Sequence, residues 1–157
     1  MSAHVLIGQY DHTAVLKLIG SLRYQIAPQI EQALHLLNSG HLPIQVDLSQ
    51  VDVIDSTILG LLVQKLMPQK DLASFIVITD SLHKQLKAIR FDTTFRLISQ
   101  LPGKIISYTV ISPQLPQANE QIRSYVRAAH EELIKIDKQN EKDYRRVIDC
   151  LNKKDSQ

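Results

Sequence analysis

The stretch from Pro43 to Met67, PIQVDLSQVDVIDSTILGLLVQKLM, constrains the fold of this chain more than any other. Ile44, Val46 and Leu48 alternate with polar neighbours, the pattern of a strand that turns one face to a core. Val53 and Ile54 then lead into Asp55-Ser56-Thr57, three short oxygen-bearing side chains able to accept from the free amides of a starting helix. Leu59, Leu62, Val63 and Leu66 follow at helical spacing, and Pro68 ends the run. The spacing therefore predicts a strand, a short connection and a helix, with a hydroxyl at the turn.

The flanking segments extend this unit into an α/β architecture. His4–Gly8 and Ala14–Ile19 read as two strands joined by the turn residues Tyr10-Asp11-His12-Thr13, and Gly20-Ser21 is expected to end the second. Ile26, Ile30, Ala33, Leu34 and Leu37 mark an amphipathic helix with Pro28 in its first turn and Asn38-Ser39-Gly40 at its close. Ser74–Thr79 is a continuous, β-branched strand pattern, and Asp80 or Ser81 is the expected cap of a helix facing inward through Leu82, Leu86 and Ile89. Strands and helices thus alternate after a leading hairpin, which implies a mixed sheet with helices packed against it. Two segments compete for the last strand, Thr94–Ile98 and Ile105–Ile111. Pro113 and Pro116 set the C-terminal region apart, dividing the chain into a domain over residues 1–112 and a helical extension over 113–157.

In that extension Ile122, Val126, Ala129, Leu133, Ile136, Asn140, Tyr144, Val147 and Leu151 step by three or four residues. As one rod the seam would span on the order of 50 Å. Either it breaks near Lys138-Gln139-Asn140 and packs back, or it projects and docks on another chain. Basic and acidic residues alternate along it, which describes a solvated face rather than a phosphate-binding one. The residues from Lys153 to Gln157 are expected to fray.

Asp47-Leu48-Ser49, Val51, Ile54-Asp55-Ser56-Thr57, Leu59-Gly60 and Leu62 together resemble the signature of STAS domains of the anti-sigma factor antagonist type. In that family a D-L-S strand precedes a D-S-[ST]-G-L-G helix start, and the resemblance covers roughly Val5 to Ile98. Ile58 stands where the family's first glycine stands, making the first helical turn bulkier. The resemblance implies a STAS-like mixed sheet and makes Ser56 a phosphorylation site, with Asp47, Ser49, Asp55, Thr57, Leu59 and Gly60 as the partner-binding residues around it. It also implies the partners: an anti-sigma factor or its serine kinase, bound by the unphosphorylated form so that a sigma factor is freed, and a serine phosphatase of the PP2C-like type. A phosphate at the first turn adds about −1.5 to −2 charges, which the helix N-terminus accommodates. Its repulsion would fall on the docked partner, the more so if Asp47, Asp52 and Asp55 share that surface.

The residues taken alone support plainer roles. A serine beside an aspartate at a helix start is usually a cap contributing about 1 kcal/mol. Asp47 reads equally as an acceptor for loop amides, Ser49 as a turn former and Thr57 as a second cap or a helix-face hydroxyl. The second functional reading is accordingly a constitutive scaffold or assembly subunit that self-associates through the C-terminal helix.

Composition narrows the remaining classes. With 157 residues and 44% hydrophobic content the chain suits one globular domain, and no apolar run approaches a bilayer-spanning length. MSAHVLIGQYDH has no basic segment before a long apolar run, and Cys150 is the single cysteine; both predict a cytoplasmic location. A net charge of +2 argues for neither nucleic acid nor an anionic membrane as partner. No G-x-S-x-G elbow, glycine-rich phosphate loop or H-E-x-x-H motif occurs, and the six histidines are scattered. The chain is therefore expected to be non-enzymatic and to use neither metal nor cofactor.

Overall fold

A two-residue turn opens the fold. Asp11 and His12 both take left-handed backbone angles (φ 44° and 63°), as a tight hairpin loop matched to strand twist requires. They join β1 (His4–Tyr10) to β2 (Thr13–Leu22), Tyr10 pairing with Thr13. The computed structural model describes residues 2–38, 41–100, 107–113 and 119–155, with side chains to residue 152 in the last helix. Gly20-Ser21 does not end β2: the strand continues to Leu22, and the neighbouring strand gains a residue against it there. Gly20 absorbs that irregularity with φ 90°, an angle that favours glycine.

After a 3-10 turn at Tyr24–Ile26, α1 spans Ala27–Asn38 with Pro28 in its first turn, where its missing amide costs no helical bond. The expected closing residues Ser39 and Gly40 lie outside the described residues. β3 (Ile44–Ile54) runs directly to Asp55 and into α2 (Ser56–Leu66), so the expected connection shrinks to one residue. Pro68 follows in a 3-10 segment, Met67–Leu72. Then come β4 (Ala73–Ile76), α3 (Asp80–Ala88), α4 (Phe91–Thr94) and β5 (Arg96–Ile98). The cap of α3 is Thr79, whose Oγ1 accepts from the Leu82 amide at 3.3 Å; Asp80 and Ser81 already lie inside the helix.

The described strands form one six-stranded sheet in the order β5-β4-β3-β2-β1-β6, where β6 is Thr109–Val110. β2 through β5 pair in parallel, and β1 is antiparallel to both its neighbours. Both candidates for the last strand contain one. Arg96–Ile98 extends the parallel edge, while Thr109–Val110 pairs with β1 at the opposite edge. The earlier part of the second candidate, residues 105–106, lies outside the described residues. Leu16, Leu18, Val46, Leu48 and Phe75 from the sheet and Ile30, Leu34, Leu59, Leu62 and Leu66 from α1 and α2 are all buried in one core. Phe75 also meets Phe91 and Phe95 at ring-centroid distances of 4.8 and 5.2 Å, closing the end under α4.

The C-terminal seam breaks into α5 (Asn119–Ile136) and α6 (Asn140–Asp155). The Asp137 carboxylate accepts from the Gln139 amide at 2.8 Å and reverses the chain. Asn140, the polar member of the seam, is 1% exposed; its Nδ2 donates to the carbonyls of Leu133 (2.7 Å) and Ile89 (2.9 Å). One side chain thus terminates α5 and ties the hairpin to the body. The helical backbone of α6 is described through Asp155, while Ser156 and Gln157, the end of the stretch expected to fray, lie outside the described residues.

Candidate functional site

Three hydrogen bonds set the start of α2. Asp55 is the N-cap, its Oδ1 accepting from the Ile58 amide at 3.0 Å and its Oδ2 from the Tyr24 amide at 2.8 Å. The Asp55 amide in turn donates to the Leu22 carbonyl at 2.9 Å. One carboxylate therefore satisfies α2 and pins it to the turn before α1. Only Asp55 of the three oxygen-bearing residues performs the capping expected of all three.

Ser56 is the first residue of α2, partly exposed, and its hydroxyl points elsewhere. Its Oγ lies 2.7 Å from His130 Nε2, on α5. The other ring nitrogen, Nδ1, lies 2.6 Å from the Val126 carbonyl. A carbonyl only accepts, so Nδ1 carries the proton; in the neutral ring Nε2 then accepts from the serine. Burial favours that neutral form and pushes the His130 pKa down, against the smaller pull of the Val126 carbonyl and the Asp55 charge. The imidazole is 4% exposed and packs against the Tyr144 ring at 5.0 Å between centroids.

The same helix covers much of α2. Thr57, Ile58, Gly60 and Leu61 are buried as well as the expected Leu59, Leu62, Val63 and Leu66. α5 runs antiparallel to α2: His130 meets Ser56, Ala129 meets Gly60, and Gln121, Ser124 and Ala128 lie beside Gln64 and Lys65. A β-carbon on Gly60 would overlap the Ala129 backbone, so only glycine lets the helices approach this closely. Thr57, Leu59 and Gly60, expected to face a partner, are thus enclosed by this chain's own helix and core. Ile58, at the place of the family glycine, is fully buried.

The expected acidic cluster does not form. Asp47 stands eight residues before Asp55 along an extended strand, roughly 25 Å away at about 3.3 Å per residue. It is 1% exposed and accepts from the Ser49 amide at 2.9 Å, the structural role. Its charge falls instead on Tyr108, whose phenol is pushed up by burial first and by Asp47 second. Ser49 lies within β3 rather than in a turn, and Asp52 is exposed. Ser56, Asp55 and His130 therefore make up the site. His130 was missed because its link to Ser56 crosses 74 positions; the signal was only its place between Ala129 and Leu133 on the inward seam.

Among the described residues no group of three His, Cys, Asp or Glu side chains is placed to hold a metal ion, and no helix is long and apolar enough to cross a membrane.

A hydroxyl at a strand-to-helix turn, on a mixed sheet backed by helices, places the chain among the α/β domains. The family model described as "Mlab, STAS domain" matches residues 5–98, more than half of the chain, and the chain belongs to that STAS family. Its fold is similar to the crystal structure of an anti-sigma factor antagonist from Mycobacterium paratuberculosis, with a TM-score of 0.59 and 22% identity over 64% of this chain and 88% of that one. No curated protein matches the chain. The matched segment ends before β6, so α5 and α6 lie outside it.

Proposed function

We propose that this chain is a partner-switching STAS protein of the anti-sigma factor antagonist kind, controlled at Ser56 and acting in the cytoplasm without enzymatic activity of its own. The unphosphorylated form binds an anti-sigma factor or its serine kinase and so frees a sigma factor; phosphorylation ends binding, and a PP2C-like phosphatase restores it. The carrying observation is that Asp55, not Ser56, caps α2. The helix does not need the Ser56 hydroxyl for its own termination, which leaves a partly exposed serine on a helix N-terminus suited to a phosphate. Esterification removes the proton Ser56 gives to His130 and places about two negative charges beside Asp55. A partner fitted to the neutral surface then meets unpaired charge, and each 1.4 kcal/mol lost weakens the contact tenfold.

A pull-down comparing Ser56→Ala with Ser56→Asp tests this reading. Different partner sets support the switch; identical sets overturn it. Incubation with a serine kinase recovered in the pull-down and ATP should add one phosphate by intact mass, absent in Ser56→Ala.

The Ser56–His130 bond favours a second reading, a constitutive scaffold in which the serine only fastens α5. That reading requires Ser56→Ala and Ser56→Asp to recover the same partners.

A further inference from the structure

We infer that His130 is the general base of Ser56, so that the serine takes up a phosphoryl group as an activated nucleophile. The inference rests on Ser56 being the modified residue and adds how this chain itself takes part in that step. Three observations carry it. First, the hydrogen bonds run in the direction a base needs. Nδ1 keeps its proton on the Val126 carbonyl at 2.6 Å, which leaves the Nε2 lone pair facing the Ser56 hydroxyl at 2.7 Å. A nucleophile, its base and a third group that orients the base are thus in line, with a backbone carbonyl in the third place. Second, the ring is held rigidly. It is 4% exposed, lies against Tyr144 at 5.0 Å between centroids, and follows Ala129, whose backbone meets Gly60. Leu133, three residues on, is buried in the main core, so α5 presents the imidazole from a fixed helix. Third, the Ser56 oxygen is not spent on the helix: Asp55 supplies the cap, and the serine is partly exposed as the first residue of α2.

The step balances within the groups named. An oxygen lone pair of Ser56 attacks the terminal phosphorus of a nucleoside triphosphate held by the kinase, and the Oγ–H proton passes to Nε2. The Oγ–P bond forms as the bond from phosphorus to the bridging oxygen breaks, that oxygen leaving with its electron pair on the nucleoside diphosphate. His130 is then an imidazolium beside the new phosphate. Burial disfavours that charge alone, and the negative charges of the phosphate and Asp55 offset it. In hydrolysis the proton returns: water attacks phosphorus, the Oγ–P bond breaks, and Nε2–H protonates the departing serine oxygen. One residue assists both the addition and the removal of the phosphate.

A fluorophosphonate bearing a biotin tag tests this on the full chain without a kinase. Attack by Ser56 on its phosphorus releases fluoride and hands the proton to the same nitrogen. Intact mass should show one added phosphonyl group, absent in Ser56→Ala. His130→Gln, whose amide oxygen can still accept from the serine but is no base, is expected to react at least tenfold more slowly, since general-base assistance contributes about 10²–10⁴-fold. The unmodified chain needs no variant: its rate should be level from about pH 7 to 9, where a base of depressed pKa is already neutral. Of the groups facing the ring, burial outweighs the upward pull of Asp55 at the start of α2, and the Tyr144 phenol on α6 is itself pushed up by burial, away from this range. A serine without a base would gain about tenfold per pH unit as its alkoxide fraction grows. No label at Ser56, a His130→Gln rate within tenfold of the unmodified chain, or a rate that climbs throughout that range would each overturn the inference. Failure of the pull-down or of kinase labelling would count against control by phosphorylation and leave the base assignment standing. Failure of the fluorophosphonate would sink the base assignment and leave room for a kinase that brings its own base.

Discussion

Gly60 of α2 and Ala129 of α5 meet backbone to backbone, and the space between them admits no side-chain carbon. Gly60→Ala should therefore lower stability by about 1 to 3 kcal/mol through overpacking, outweighing the gain of up to about 1 kcal/mol in helix propensity. Urea unfolding measures this. Because the variant strains only the helix contact, the far-ultraviolet signal of the sheet should be retained below the transition.

Ser56 and His130 should be energetically coupled. Ser56→Ala leaves the buried Nε2 acceptor without its donor, at a cost of about 1 to 3 kcal/mol. A double-mutant cycle with His130→Leu should return a coupling of about 1 kcal/mol. A coupling within error of zero would show that the 2.7 Å contact contributes nothing to the fold.

Acid should weaken the protein through His130. Its folded pKa is held below the ordinary value near 6.5 by burial, so as pH falls past that value the unfolded chain takes up this proton before the folded one does. The contribution is complete above about pH 6.5 and is lost progressively as pH falls toward the lower, folded pKa. Denaturation midpoints at pH 7.5 and 5.5 should differ more for the unmodified protein than for His130→Gln.

Asp55 serves two amides, and its variants should rank accordingly. Asp55→Ala removes the cap of α2 and the tie to Tyr24 together, costing about 2 kcal/mol. Asp55→Asn keeps one acceptor oxygen and should fall between. Thermal melts of the two variants beside the unmodified protein check the order; a melting point of Asp55→Asn equal to that of the unmodified protein would mean that the second amide contact contributes nothing.

Much of the fold was legible because its signals are local and periodic. Alternation marked the start of β3, helical spacing marked the inward face of α2, and Asp11-His12 marked a turn that tolerates left-handed angles. Ends were less legible, since neighbouring residues offer similar chemistry. Thr79 rather than Asp80 caps α3, and Gly20 bends β2 where it was expected to stop it. The two rival last strands were both present, a result that no strand propensity could anticipate because it depends on which edge of the sheet stands open. At the site, the serine and its aspartate were visible as neighbours in sequence. His130 was not, because only the tertiary fold brings α5 across α2. The supposed acidic cluster failed for the converse reason: spacing that looks short in sequence becomes long along an extended strand.

The outer strands carry a consequence for life at high concentration. Arg96–Ile98 and Thr109–Val110 offer three and two residues at the margins of the described sheet, with an exposed arginine on the first. So short a border gives a neighbouring molecule little backbone to zip onto.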